Sequence, residues 1–145
     1  MKFQILNSTD NELQLVVEDV SEALMNIIRR TVSFEVPTFA VEEVYFKENT
    51  SVLYDEILAH RIGLVPLKVD KGIFVMKDPK VELTLTVEGP KEVTSADLKL
   101  EGKGVEALYP KTPLVKISKN QRIELRAVAI PGTGKEHVKW SAGHA

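Results

Sequence analysis

Residues 20–34, VSEALMNIIRRTVSF, constrain the fold of this chain more than any other stretch. Turned at about 100° per residue, they form a two-faced helix. Val20, Leu24, Ile28, Thr31 and Val32 fall on one face, with Met25 and Ile27 at its edges; Glu22, Asn26, Arg29, Arg30 and Ser33 fall on the other. The Ser21 hydroxyl is placed to accept a hydrogen bond from an otherwise unpaired N–H of the first turn. Glu22 suits the positive end of the helix dipole and Arg29 and Arg30 the negative end, while Pro37 stops the helix from running further. A helix of this kind ordinarily lays its apolar face on a core. The fold therefore has to supply a cover for Leu24, Ile28 and Val32.

Upstream, the apolar stretches 3–6 and 13–17 flank the turn-forming run NSTDN at 7–11, which predicts a β-hairpin leading into the helix. Downstream, AVEEVYF at 40–46 predicts a strand and KENTS at 47–51 a loop. YDEILAHRIGL at 54–64 predicts a second helix with Asp55 and Glu56 in its first turn. Ile57, Leu58, Arg61 and Ile62 have the spacing of an apolar stripe with an arginine beside it; Gly63 is placed to end the helix in the left-handed conformation, and Pro66 blocks continuation. Short β candidates follow at 67–70 and 73–76. VELTLTVE at 81–88 alternates throughout, the signature of a strand with one buried and one wet face, and Gly89-Pro90 ends it. Residues 96–100 alternate in polarity, Gly102-Lys103-Gly104 is a turn, 114–117 is a short apolar run, and RIELRAVAI at 122–130 alternates again. Pro131-Gly132-Thr133-Gly134 predicts a loop, and 135–145 a tail carrying the only tryptophan, Trp140.

The pattern is that of an α+β protein in two parts. Residues 1–46 supply a hairpin, a helix and a strand; residues 47–145 supply a mainly antiparallel β unit with one helix. The first part is too small to bury enough surface to stand alone. Its helix is covered either by the second part or by another chain.

Composition narrows the chemistry. The 145 residues are 43% hydrophobic and 28% charged, enough for a buried core, and the net charge of −2 argues against a protein that wraps nucleic acid. With no cysteine, the chain cannot form a disulfide, a thiolate zinc site or an iron–sulfur cluster. The N-terminus lacks the apolar core of a signal peptide, and no apolar run approaches the roughly 20 residues that span a bilayer. The expectation is a soluble, cytoplasmic protein.

The usual phosphate cradles are absent. PGTGKEH at 131–137 has the glycines and lysine of one but neither its spacing nor a following helix, and reads as a flexible loop. Glu56 and His60, four apart on the second helix, have the spacing of a metal-binding pair, which would make a small metal-dependent enzyme; no third ligand is indicated, and a hydrogen bond or ion pair between them is the simpler reading. Glu42 and Glu43 are neighbours on a strand and point to opposite faces. Aromatic residues, 6% of the chain, build no stacking platform. The residues alone thus describe a helix in want of a partner and offer no catalytic or cofactor-binding constellation.

Four stretches, ALMNIIRRTVSFEVPTFAVEEVYFKENTS (23–51), LYDEILAHRIGLVPL (53–67), GPKEVTSADL (89–98) and GTGKEHVKW (132–140), together resemble the D-subunit family of archaeal DNA-directed RNA polymerases, which is similar to the N-terminal region of the bacterial α-subunit and to the eukaryotic third-largest subunit. The resemblance implies a dimerisation domain with a second domain inserted into it. It implies that the first helix, through Leu24, Ile27, Ile28 and Val32, packs on its counterpart in the smaller L subunit, giving a non-catalytic platform for the two large subunits. By the same resemblance Arg29 and Arg30 face a large subunit, the helix carrying Asp55, Glu56, His60 and Arg61 is a further docking surface, and the small N and P subunits join the platform. No cofactor and no direct nucleic-acid contact are implied. Members of the family continue past GKEHVKW with more strands and a long C-terminal helix, a segment these 145 residues lack. The alternative is a free-standing adaptor that uses the same fold.

Overall fold

A computed structural model describes residues 1–145 except 10, 76, 102 and 103, together with the side chains of all but 71, 100 and 101 among the rest. The chain opens with an antiparallel hairpin of β1 (Lys2–Ser8) and β2 (Leu13–Glu18), followed by helix α1 (Glu22–Phe34) and the long strand β3 (Thr38–Asn49). Helix α2 (Asp55–Gly63), strand β4 (Leu67–Val69) and the single helical turn α3 (Lys71–Phe74) come next. The remainder is β5 (Val81–Glu88), β6 (Lys91–Thr94), a 3₁₀ turn at Ser95–Asp97, β7 (Lys99–Glu101), β8 (Val105–Ala107), β9 (Pro113–Ile117), β10 (Arg122–Gly132) and a second 3₁₀ turn at Val138–Trp140. The architecture is α+β, as expected.

The central sheet has the order β3-β10-β5-β7, and β10 pairs antiparallel with both neighbours. Its inner face follows from the sequence alternation. Val81, Leu83, Leu85 and Val87 of β5 are buried beside Ile123, Leu125, Ala127 and Ala129 of β10. Helix α2 closes this face with Leu58 and Ile62, and Phe39 of β3 meets Phe74 of α3 edge to face, ring centroids 4.8 Å apart. The outer face is polar and laced with ion pairs: Lys47 to Glu124, Arg126 to Glu82, and Arg122 to Glu48, Glu88 and Glu124.

Strand β3 keeps step with β10 by means of two bulges. Glu124 and Leu125 lie opposite Glu48 and Phe46, which leaves Lys47 as an extra residue; Val128 and Ala129 lie opposite Glu43 and Val41, which leaves Glu42 as another. An unpaired extra residue re-aims its side chain. Lys47 reaches Glu124, and Glu42 pairs with Lys139.

Several local expectations are corrected. Of the predicted strand at 73–76, Ile73 and Phe74 belong to helical turn α3, and Met76 lies outside the described residues; a four-residue apolar run carries no periodicity that separates the two. The predicted 40–46 strand runs from Thr38 to Asn49, so three of the five residues of the KENTS loop are strand. Pro131 and Gly132 continue β10 rather than looping out. Gly63 is the last residue of α2, and Leu64, at φ −87°, caps it without a left-handed residue. The stretch 96–100 that alternates in polarity is divided between a 3₁₀ turn at Ser95–Asp97 and the start of β7 at Lys99. Of the turn-forming run at 7–11, β1 takes Asn7 and Ser8, and Asp10 lies outside the described residues, as do Gly102 and Lys103 of the predicted turn at 102–104. No helix among the described residues is long and apolar enough to cross a membrane.

Candidate functional site

The buried apolar cluster begins at Phe39; among the described residues before it, only Ser33 is buried. The N-terminal hairpin and α1 therefore project from the body with their apolar side chains in solvent. Leu24 is 40% exposed, Ile27 60% and Ile28 44%, while Val32 is half-buried. On the hairpin, Phe3 lies opposite Val17 and Ile5 opposite Leu15, so these four share one face. Phe3, Ile5 and Leu15 of that face are exposed.

The helix itself is well specified. Ser21 Oγ accepts the Leu24 N–H at 3.3 Å, the cap the sequence calls for, and Glu22 occupies the first turn. Arg29 and Arg30 precede the last turn, which holds no basic residue. Arg29 donates to Asn26 Oδ1 at 2.9 Å. Arg30 lines a cleft of about 250 Å³ together with Phe34, Glu35, Gly134 and Lys135. Ser33, expected on the wet face, is instead covered, because its hydroxyl donates to the Gly143 carbonyl at 3.2 Å.

That contact belongs to a segment sequence reasoning reads as loop and tail. Lys135 N–H donates to the Phe34 carbonyl at 3.2 Å and Lys135 Nζ to Glu35 Oε1 at 2.8 Å. The Lys135 hydrogen bond and charge hold the Glu35 carboxyl below its ordinary range. A β-carbon on Gly134 would stand 2.2 Å from the Ser33 carbonyl oxygen, so only glycine allows this approach. Farther along, Trp140 is buried, its indole N–H donating to the Ile130 carbonyl at 3.0 Å, and Thr38 Oγ1 donates to the Trp140 carbonyl at 2.9 Å. Lys139 Nζ donates to the Val41 carbonyl at 3.0 Å, pairs with Glu42 and lies 4.4 Å from the Trp140 ring. Sequence reasoning missed this packing; the lone tryptophan and the close pair Gly132 and Gly134 are the signals that could have found it.

On α2 the predicted site residues separate. Asp55 Oδ1 accepts from Asn49 Nδ2 at 2.7 Å, and Arg61 Nη2 donates to the Pro113 carbonyl at 2.9 Å, tying α2 to β9. Glu56 and His60 are exposed, and among the described residues neither a hydrogen bond nor an ion pair joins them, contrary to the sequence reading. His60 lines a groove of about 240 Å³ with His137, Glu42 and Lys139. No group of three or more histidine or acidic side chains among the described residues has the arrangement to hold a metal ion. Beside Ile57, which is half exposed, Val52 and Tyr54 are strongly exposed ahead of the helix. The arrangement offers apolar surface for contact.

Residues 11–143 match the family described as the RNA polymerase Rpb3/RpoA insert domain. The chain is 44% identical over 148 aligned positions to the DNA-directed RNA polymerase subunit Rpo3 of Pyrococcus horikoshii, covering 99% of this chain and 57% of that protein. It is 40% identical to Rpo3 of Thermococcus kodakarensis with the same coverage. It is 48% identical over 120 positions to Rpo3 of Methanocaldococcus jannaschii, covering 83% of this chain and 60% of that protein. The chain thus spans somewhat over half the length of these curated relatives.

Proposed function

The chain belongs to the RNA polymerase Rpb3/RpoA insert domain family, and from that premise we propose that it is part of a DNA-directed RNA polymerase subunit that assembles the enzyme without itself catalysing. One observation carries this reading: α1 holds Leu24, Ile27 and Ile28 in solvent, uncovered by the described residues. A helix of 13 residues is marginal by propensity alone and gains most of its stability from packing its apolar face. Covering the exposed half of each such side chain is worth roughly 1 kcal/mol. The occupant in this reading is the smaller L subunit, meeting Leu24, Ile27, Ile28 and Val32.

The same reading gives Arg29 and Arg30 to a large subunit, and the surface of α2 with Asp55, Glu56, His60 and Arg61 to a further large or small subunit, the N and P subunits among them. It divides the chain into residues 1–46, half of a dimerisation domain, and 47–145, the inserted domain, with β3 shared between them. Its cellular setting is the cytoplasm, where transcription proceeds in cells without a nucleus.

Mixing the chain with the L subunit and following the mass by light scattering tests the proposal. A heterodimer is expected, and Leu24→Asp or Ile28→Asp abolishes it, because an unpaired charge in a desolvated contact costs several kcal/mol. Arg30→Ala keeps that dimer and weakens capture of a large subunit. Failure to bind the L subunit, both by this chain and by one extended with the family's C-terminal segment, overturns the reading and favours a free-standing adaptor.

A further inference from the structure

We propose that residues 132–143 form a strap that fixes the pose of α1, so that the hairpin and helix behave as an arm hinged at residues 33–35. The strap is secured to the body at one side. Trp140 bonds to Ile130 of β10, Thr38 of β3 bonds to the Trp140 carbonyl, and Lys139 bonds to Val41 and pairs with Glu42. At its other side it grips only the last turn of the helix and the residue after it. Lys135 N–H meets the Phe34 carbonyl, Lys135 Nζ meets Glu35, Gly134 sits under the Ser33 carbonyl, and Ser33 Oγ reaches Gly143.

Among the described residues, nothing comparable holds the other end. From Glu22 to Thr31 no side chain is buried, and the hairpin beyond it is exposed along both strands save for half-buried Val17. The link between β2 and α1 includes Asp19 at φ 56°, a left-handed conformation that costs a non-glycine residue energy. Leverage follows from this layout. A small displacement at Gly134 is multiplied along the helix, and the strap sets the angle at which the apolar face of α1 is presented. The strap acts within this chain alone, whichever protein covers the helix.

The test uses the intact chain. Because it has no cysteine, Asn26→Cys and Thr86→Cys place two nitroxide labels uniquely, one on α1 and one on the outer face of β5. The unaltered strap is expected to give one narrow distance distribution. Gly134→Val, which drives a side chain into the Ser33 carbonyl, broadens it, and Lys135→Glu, an exposed change that sets like charges beside Glu35, broadens it less. Amides of α1 then exchange on the order of tenfold faster while those of β5 and β10 do not. Trp140 emission reports that the strap's far side remains seated. An unchanged distribution in Gly134→Val overturns the proposal; so does a loss of protection in β10 that matches the loss in α1, because the segment then acts as core and not as a strap.

Discussion

The indole of Trp140 lies against the bare α-carbon of Gly132, where an added β-carbon would stand 2.5 Å from ring atoms Cδ2 and Cε2. Both partners are fixed, Gly132 by its place in the β10 ladder and Trp140 by its hydrogen bond to Ile130. Gly132→Ala is therefore expected to destabilise the protein by about 1–3 kcal/mol, the range for overpacking a filled site. Urea denaturation followed by tryptophan emission measures it, and the native emission should shift as the ring is displaced.

Two isoleucines separate core from contact surface. Ile62 is fully buried under the central sheet and Ile27 is 60% exposed. Ile62→Ala is expected to cost about 2–5 kcal/mol, and Ile27→Ala no more than about 0.5 kcal/mol. Chemical denaturation of the two variants side by side decides; comparable losses would mean that α1 is covered by its own chain.

Asp97 closes a capping box with Thr94: its carboxylate accepts the Thr94 N–H at 2.9 Å and pairs with Lys91. Burial pushes this carboxyl up, but the hydrogen bonds from Lys91 and Thr94 and the Lys91 charge outweigh it, and the net effect lowers the pKa. A carboxyl depressed in the folded state stabilises it above the unfolded pKa, near 4, and that contribution is lost as pH falls through the lower folded value. Asp97→Ala is expected to cost about 0.5–2 kcal/mol at neutral pH, the range for a lost cap, and progressively less below about pH 4. Denaturation midpoints across that window check it.

Glu124 tests the outer face. Lys47 holds its carboxyl below the ordinary range through a hydrogen bond, with Arg122 adding to the effect. Carbon-13 titration should find Glu124 deprotonating below a free glutamate, and Lys47→Ala should raise it toward the ordinary value. No change in the variant would mean that Arg122 alone sets the charge state.

What could be read from the residues was whatever repeats. The alternation in Val81, Leu83, Leu85 and Val87 gave β5 with its buried face, and the 3.6-residue period with Ser21 gave α1 and its cap. What escaped was decided by partners far along the chain. Pro131 and Gly132 carry every local mark of a turn, yet pairing with Phe39 and Thr38 keeps them in a strand. Ser33 counts as polar on a helical wheel, and only Gly143, 110 residues away, explains its burial. Of the candidate site, the solvent-facing stripe was visible in advance because it depends on α1 alone. The seating of its last turn was not, because that depends on Gly134 and Lys135.

The two bulges in β3 decide where this strand can change length. Deleting Lys47 would bring Phe46 and Glu48 into ordinary succession opposite Leu125 and Glu124, sacrificing one surface ion pair while every core side chain keeps its side of the sheet. Removing Glu42 would act in the same way at the other bulge. Loss of Tyr45, midway between them, would instead put Val44 and Phe46 on opposite sides and swing one of them out of the interior. Single-residue deletions in β3 are thus tolerable at two defined joints and not at Tyr45 between them.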